Sequence, residues 1–170
     1  LDVRSQPQLF AERPLAILNS KQILERAEKH CAELGGRLTE KRRQVLSGLL
    51  KSPKALSAYE LTDFCNEKFG LDLLPMSVYR ILGFLETHDL AHRLSSTNKY
   101  VACSHISCDH VHELPQFLIC NSCDRVEEIG IAKTLFNSLV GAAKTAGFDL
   151  VSNQLELEVR CENCVSLSGA

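Results

Sequence analysis

The motif Cys120-Asn121-Ser122-Cys123 decides how the chain is organised, because a second motif with the same spacing, Cys161-Glu162-Asn163-Cys164, follows it. Two residues between paired cysteines let a tight turn direct both sulfurs at one point, so two such motifs can surround a Zn²⁺ ion tetrahedrally. Neither motif lies in the βαβ context of a thioredoxin-like redox dithiol. We therefore predict one structural zinc bound by four thiolates, with disulfide or redox chemistry as the alternative.

The composition is that of an ordinary globular protein, with 45% hydrophobic and 24% charged residues in a chain of 170. This is enough for one domain or two small ones. No apolar run approaches the roughly 18 residues of a membrane span, and no signal sequence opens the chain, so we expect a cytoplasmic protein without a membrane partner. The eight cysteines and six histidines then favour metal binding, because the cytosol keeps thiols reduced.

Charge is distributed unevenly along the chain. Residues 1–103 contain 15 Lys/Arg and 12 Asp/Glu, whereas residues 104–170 contain 4 and 9. The N-terminal part is therefore the candidate for binding an anionic partner.

Residues 20–103 show the pattern of four helices followed by a hairpin, which is typical of a winged helix-turn-helix domain. We predict that Ser20 and Thr39 cap the first two helices, that the capping box Ser57-Ala58-Tyr59-Glu60 begins the third, and that Pro75 begins the fourth. Residues 90–94 and 99–103 flank a polar turn and predict the hairpin. Apolar positions at helical spacing are expected in the core, including Cys31, Leu34 and Cys65. Residues 1–19 form a tail to which we assign no structure.

A winged helix-turn-helix domain places the second helix of its motif in the major groove of DNA. The fourth predicted helix presents Tyr79 and Arg80 near its N-terminus, where they suit contacts to bases and phosphates. A protein-binding winged helix is the alternative. Four further basic residues are predicted to contact phosphates: Lys41, Arg42, Arg43 and Lys99.

Residues 117–170 predict a small β-β-α-β domain, so the fold class is α+β. Residues 116–119 and 126–129 read as strands, and residues 155–159 alternate as a last strand. Between them, a helix that ends at Gly147 is marked by the apolar positions Leu135, Leu139, Ala143 and Ala146. The span between the two cysteine motifs is longer than in a compact zinc ribbon. A domain this small buries little surface, so a zinc clamp and dimerisation would help it to fold.

Residues 104–116 lack periodicity and form a predicted hinge that is rich in potential ligands. Together, His92, Cys103, His112 and Glu128 offer one thiolate, two imidazoles and one carboxylate, a set that suits Zn²⁺. A site made from both domains would couple metal occupancy to their relative orientation. Four protein ligands leave no open position for a catalytic water, so we do not predict an enzyme or a small-molecule substrate. A weaker additional metal site could use four hinge residues: His105, Cys108, Asp109 and His110.

Several motifs together resemble the ferric uptake regulator family, over about residues 20–164, and most resemble its zinc-responsive branch. They are Arg37-Leu38-Thr39-x-x-Arg42, Ser77-Val78-Tyr79-Arg80, Ser96-Thr97-Asn98-x-Tyr100, the histidine-bearing hinge and the paired cysteine motifs. The resemblance implies a homodimeric, zinc-responsive transcriptional repressor that controls zinc uptake and homeostasis genes, binds double-stranded, pseudo-palindromic operator DNA and holds two zinc ions per subunit. A response to Fe²⁺, Mn²⁺, Ni²⁺ or peroxide is the alternative within the family.

The resemblance also implies roles for individual residues. The four cysteines of the paired motifs would hold the structural zinc, and His92, Cys103, a hinge histidine and Glu128 would hold the regulatory zinc. The hinge is slightly longer than in similar proteins, so His110 and His112 compete for the third position, and we choose His112. The residues that match DNA-contacting positions are Arg37, Tyr59, Tyr79 and Arg80.

Overall fold

The computed structural model describes residues 19–106 and 114–167. The first part contains four helices and a hairpin: α1 (Ser20–Glu33), α2 (Glu40–Lys51), α3 (Ala58–Phe69), α4 (Pro75–Thr87), β1 (Ala91–Leu94) and β2 (Lys99–Ala102). β1 and β2 pair in an antiparallel two-stranded sheet, which is the wing of the predicted winged-helix domain. No helix among these described residues is long and apolar enough to cross a membrane.

The second part is a three-stranded sheet with two helices: β3 (Leu114–Cys120), β4 (Val126–Ile131), α5 (Lys133–Thr145), β5 (Leu155–Val159) and α6 (Glu162–Leu167). The strand order is β4-β3-β5, with β3 antiparallel to β4 and parallel to β5. The mixed helix and sheet composition confirms the α+β class. β3 begins at Leu114, two residues before the predicted strand, and α6 adds a short helix that periodicity did not reveal.

Capping boxes mark where α1 and α3 begin, whereas the predicted cap Thr39 precedes α2 without a side-chain capping hydrogen bond. Asn19, rather than the predicted Ser20, caps α1, because its side chain and that of Gln22 form a reciprocal capping box. The predicted box of Ser57 and Glu60 begins α3, with Glu60 N–H donating to Ser57 Oγ (3.2 Å) and Ser57 N–H donating to Glu60 Oε2 (2.7 Å). Each box satisfies backbone donors that the first helical turn leaves unpaired.

The core of the winged-helix domain contains Cys31 and Cys65, both fully buried, as predicted. The prediction for Leu34 was wrong, since this residue follows the last turn of α1 and is 53% exposed. The helix predicted from Leu135 and Leu139 is confirmed as α5. Leu135 and Leu139 are 61% and 40% exposed, and Phe136 is the buried residue of this helix. Helical spacing identifies an apolar face but does not determine whether the same chain covers it.

The two domains meet at a small apolar cluster. Ala55 and Leu94 of the winged-helix domain pack against Phe117 and Ile119 of β3, and all four are buried. The wing hairpin, β1–β2, therefore lies against the sheet of the C-terminal domain. This contact places both predicted metal sites close to the same central strand.

Candidate metal centres and nucleic-acid interface

The sulfur atoms of the four motif cysteines form one cluster, which we call the four-cysteine cluster. Cys120 ends β3, Cys123 lies in the following turn, and Cys161 and Cys164 lie at the junction of β5 and α6. All four sulfurs lie within 4.8 Å of one another, and Cys123 Sγ and Cys161 Sγ are 3.7 Å apart. Zinc with about 2.3 Å bonds to tetrahedral sulfurs separates those sulfurs by about 3.8 Å. The cysteines are not disulfide-bonded, so the geometry fits a zinc ion bound by four thiolates.

The thiols of this cluster differ in acidity. Hydrogen bonds from the backbone N–H groups of Cys161 and Ser122 lower the pKa of Cys120 to about 6, against the opposing effect of burial. Hydrogen bonds with Cys161 and Cys123, together with desolvation, raise the pKa of Cys164 to about 12. The pKa of Cys120 is thus lowered while that of Cys164 is raised, and adjacent thiolates repel one another when no cation lies between them. Divalent zinc is the counter-charge that such a set requires.

A second cluster joins the two domains, and we call it the interdomain cluster. His92 lies on β1, Cys103 follows β2, and Glu128 lies on β4, with one ligand atom of each within 4.8 Å of the others. Cys103 is 3% exposed, and the Glu128 side chain is 4% exposed. His92 Nε2 is buried 3.6 Å from Glu128 Oε1. A buried imidazole nitrogen, thiol and carboxylate directed at one point fit a Zn²⁺ ion.

Hydrogen bonds from the residues that follow β2 hold the Glu128 carboxylate in place. Ser104 N–H and Oγ–H donate to Oε2 at 2.8 and 2.9 Å. His105 Nδ1 lies 2.8 Å from Oε1, an arrangement that orients a ligand carboxylate. The sequence interpretation placed His105 only in a weaker additional site. Its spacing of two residues from Cys103 is the signal that could have linked it to this cluster.

Four of the predicted metal-binding residues lie outside the described residues. They are the predicted fourth ligand, His112, its competitor His110, and the remaining candidates for a weaker site, Cys108 and Asp109.

The residues predicted to contact DNA lie at the N-terminal ends of helices on the winged-helix domain. Tyr79 and Arg80 lie in the first turns of α4, with Arg80 exposed, and Tyr59, near the start of α3, is 61% exposed. The rings of Tyr59 and Tyr79 pack edge to face, with centroids 6.1 Å apart. Arg37 is exposed just before α2. The structure thus brings the two tyrosines together as one aromatic surface.

Several cations predicted to contact phosphates have partners within the chain. Arg42 stacks on Phe84, with Cζ 3.4 Å from the ring centroid, and its Nη1 donates to Arg37 O at 2.6 Å. Arg42 therefore supports the loop that carries Arg37. Arg43 forms an ion pair with Glu28, Lys99 Nζ lies 3.2 Å from Glu60 Oε1, and Lys41 is exposed.

Comparisons with known proteins agree with this geometry. The sequence model of the ferric uptake regulator family matches residues 33–158. The chain is 34% identical over 148 residues to the zinc uptake regulation protein of Escherichia coli (strain K12), which covers 87% of this chain and 84% of that protein.

Solved structures extend the similarity to both domains. A zinc uptake regulator complexed with zinc and DNA has a TM-score of 0.77 and 32% identity, covering 90% of this chain and 99% of the other. The structure described as holo XcZur has a TM-score of 0.71 and 32% identity, covering 87% and 99%. Both matches span the winged-helix and the C-terminal domain. This chain belongs to the ferric uptake regulator family.

Proposed function

We propose that the protein is a zinc-responsive transcriptional repressor that binds operator DNA as a homodimer and controls zinc uptake and homeostasis genes. The observation that carries this proposal is the interdomain cluster. His92 and Cys103 belong to the wing hairpin, whereas Glu128 belongs to the C-terminal sheet. A metal that binds all three stabilises one orientation of the winged-helix domain over the others. Similarity to zinc uptake regulators supports zinc as that metal.

We propose two zinc ions per subunit with separate roles. Cys120, Cys123, Cys161 and Cys164 hold the structural ion, and His92, Cys103, His112 and Glu128 hold the regulatory ion. Bound zinc supplies the positive charge that keeps the thiolate, imidazole and carboxylate groups together. The residues of the chain then act on orientation: Ser104 and His105 hold the Glu128 carboxylate, and Cys103 N–H, donating to Leu90 O at 3.0 Å, keeps Cys103 at the base of the wing.

The presence of a thiolate in the interdomain cluster favours Zn²⁺ over Mn²⁺, and similarity to zinc uptake regulators supports Zn²⁺ over Fe²⁺ and Ni²⁺. Thiolate ligands suit soft or borderline ions, whereas Mn²⁺ prefers carboxylate and water. The buried Cys103 thus bears on metal choice as well as on domain orientation.

We assign the DNA-binding surface to the helix ends around α4. Tyr79 and Arg80 would reach base edges or phosphates in the major groove, and Tyr59 and Arg37 would contact the adjoining backbone. Arg42 contributes by holding Arg37 O. The proposed divisions are a DNA-binding domain at residues 20–103, a hinge at residues 104–116 and a dimerisation domain at residues 117–170. The last three residues of this predicted hinge already belong to β3.

Apolar side chains exposed on the C-terminal domain support dimerisation. Leu135, Leu139, Leu157 and Val165 are 61%, 40%, 49% and 55% exposed on the single chain. Burial of such side chains against a second copy is favourable at about 25 cal/mol per Å². A two-fold dimer presents two recognition helices, and this arrangement matches a pseudo-palindromic operator. An operator-binding protein of this kind acts in the cytoplasm and needs no enzymatic activity.

The affinity difference needed for regulation is moderate. Shifting a domain orientation from 1:99 to 99:1 takes about 5.5 kcal/mol of differential zinc affinity. An interdomain cluster that loses at least one ligand when the domains separate can supply this difference, because each lost ligand weakens binding to the open form.

The proposal is tested by measuring DNA binding against free Zn²⁺. A duplex selected from a random-sequence library with the zinc-loaded protein serves as the operator, and fluorescence anisotropy reports binding. We expect affinity to rise at least about 100-fold between zinc-free and zinc-loaded regulatory sites. Fe²⁺, Mn²⁺ and peroxide are the controls. Binding that is indifferent to zinc, or that follows peroxide, would contradict the proposal.

A further inference from the structure

The C-terminal domain holds the wing at a second place, at the turn that joins β1 to β2. Ser95 N–H donates to Glu156 Oε1 at 2.6 Å, and Ser96 N–H donates to Glu156 Oε2 at 2.8 Å. Glu156 lies on β5, so one carboxylate of the C-terminal sheet binds two adjacent backbone amides of the wing turn. Hydrogen bonds to an ionised acceptor are stronger than those between neutral groups.

A neighbouring side chain adds a third contact to the same segment. Gln154 Nε2 donates to Arg93 O of β1 at 2.9 Å and to Glu156 Oε1 at 2.9 Å. The wing therefore offers one carbonyl and two N–H groups, and the C-terminal domain satisfies all three with two side chains. We call Gln154 and Glu156 the wing brace.

The backbone that carries the wing brace is held by a buried glutamine of the sheet, Gln116. Gln116 lies on the central strand β3 and is 1% exposed. Its Oε1 accepts from Leu155 N–H at 2.7 Å, and its Nε2 donates to Asn153 O at 3.0 Å. A buried amide thus fixes the backbone on both sides of Gln154. Because Gln116 belongs to the sheet, Gln154 and Glu156 keep a defined position relative to the C-terminal domain. The wing that they contact is therefore oriented relative to that domain.

The Glu156 carboxylate is suited to remain ionised at neutral pH. Burial raises its pKa, but the hydrogen bonds from Ser96, Ser95 and Gln154 outweigh this effect and leave the pKa below its ordinary value. The carboxylate therefore keeps its full acceptor capacity in the pH range in which the protein binds metal.

Two separate attachments constrain the wing more than one attachment does. The interdomain cluster holds the wing at His92 and Cys103, near its base, whereas the brace holds Ser95 and Ser96 in the turn. Three residues of extended strand separate His92 from Ser95, or about 10 Å. The cluster and the packing of Leu94 on Phe117 already hold the hairpin, and a contact at the turn, about 10 Å from His92, restricts its rotation further.

We propose that Glu156, supported by Gln154, is a positioning residue that holds the wing in the DNA-binding orientation and thereby lowers the zinc concentration needed for repression. This inference rests on the function proposed above. The brace does not depend on metal, so it favours the closed orientation before zinc binds. Here the closed orientation is the one in which the wing lies against the C-terminal sheet. If zinc binds only this orientation, its apparent dissociation constant equals the intrinsic one divided by the fraction of molecules that are closed.

The test compares Glu156→Gln with Glu158→Gln in the full-length dimer. Both variants remove one negative charge from β5, and Glu158 is exposed two residues further along the same strand. A glutamine at position 156 can accept one backbone N–H through its amide oxygen, but its NH₂ group cannot accept the other. Operator binding is measured against free Zn²⁺ for both variants, and hydrogen exchange is measured at the Ser95 and Ser96 amides.

We expect Glu156→Gln to raise the zinc concentration at half-maximal DNA binding by about five- to tenfold. Affinity at saturating zinc should remain within about twofold of wild type, because zinc then provides the missing bias. The Ser95 and Ser96 amides should exchange faster in the zinc-free protein. Glu158→Gln should match wild type in all three measurements, and Glu156→Asp, which keeps the charge but retracts the carboxylate, should fall between.

Three results would overturn the proposal. Tighter DNA binding by Glu156→Gln would mean that the carboxylate competes with a DNA phosphate for the two amides. Faster exchange with an unchanged zinc curve would mean that the contact exists but does not position the wing. Unchanged exchange would mean that the two amides do not depend on Glu156.

Failure of the proposed function would look different. In that case wild-type protein itself would bind DNA equally with and without zinc. If the wing brace still positions the wing, Glu156→Gln should then bind DNA more weakly than wild type at every zinc concentration. Equal DNA affinity of the variant and wild type would overturn the proposal.

Discussion

The two metal clusters use similar ligands but differ in where those ligands come from. The four-cysteine cluster takes every ligand from the C-terminal domain: from the end of β3, the turn after it, the residues between β5 and α6, and α6 itself. The interdomain cluster takes His92 and Cys103 from the wing and Glu128 from the sheet. A metal whose ligands lie in one domain stabilises the fold of that domain, whereas a metal whose ligands lie in two stabilises their orientation. We therefore propose a structural role for a metal in the four-cysteine cluster and a regulatory role for a metal in the interdomain cluster.

The largest expected effect is that of Cys120→Ser. Cys120 Sγ also accepts the Cys161 N–H at 3.3 Å, so the substitution weakens both the zinc site and the link between its two halves. In zinc-finger peptides a structural zinc contributes on the order of 10 kcal/mol. We expect the variant to lose one zinc per subunit and the dimer, as measured by metal analysis and sedimentation. A stable dimer with two zinc ions per subunit would contradict the structural role.

The next largest effect should come from the interdomain cluster. We expect Cys103→Ser and Glu128→Gln to weaken zinc-dependent operator binding by at least about 100-fold, because each removes a ligand that links the domains. Both should remain folded dimers that keep the structural zinc. Glu127→Gln is the matched control, since Glu127 is the adjacent carboxylate on β4 and its partner is Arg125, 3.4 Å away.

The comparison between clusters fails if Cys103→Ser behaves like Cys120→Ser. Loss of the dimer in both variants would mean that both zinc ions are structural. Operator binding by Glu127→Gln as weak as that by Glu128→Gln would mean that charge, rather than ligation, controls the response.

The smallest expected effect distinguishes the histidine that ligates the metal in the interdomain cluster from the one that only orients Glu128. If His112 is the fourth ligand, His112→Ala should weaken regulatory zinc binding by about 100-fold. His105→Ala should weaken it by only about tenfold, because His105 orients Glu128 without ligating. Competition with a chromophoric chelator measures both values. The reverse order would assign the fourth position to His105, and equal values would place both imidazoles on the metal.

Local patterns predicted most of the fold because they depend on neighbouring residues. The capping box of Ser57 and Glu60, the proline that begins α4 and the pairing of β1 with β2 are determined within a few positions of sequence. The errors arose where nearby residues compete or where the covering surface lies elsewhere. Asn19 displaced Ser20 as the cap of α1 because its capping box includes Gln22. Leu34, expected in the core, follows the last turn of α1 and is 53% exposed.

In the candidate sites, too, the features that depend on local spacing were predicted, whereas several contacts between distant residues were not. The spacing of the cysteine motifs was sufficient to predict the four-cysteine cluster, since two residues between ligands already constrain the turn. The structure also brings His92, Cys103 and Glu128 together, although they come from three separate elements. The sequence did not reveal the hydrogen bond between His105 and Glu128. It also did not reveal that Arg42, Arg43 and Lys99 form cation–π, hydrogen-bond or ion-pair contacts within the chain. These contacts involve side chains separated by up to 42 residues.

The sequence by itself determined the winged-helix pattern, the paired cysteine motifs and the supply of candidate metal ligands around the hinge, because each follows from residue type and short-range spacing. Only the tertiary structure decided that the wing lies against the C-terminal sheet and is held at both its base and its turn. Glu156 contacts amides 60 and 61 residues away. No local pattern encodes such a contact, since the packing of Leu94 on Phe117 must first bring the wing and β5 together.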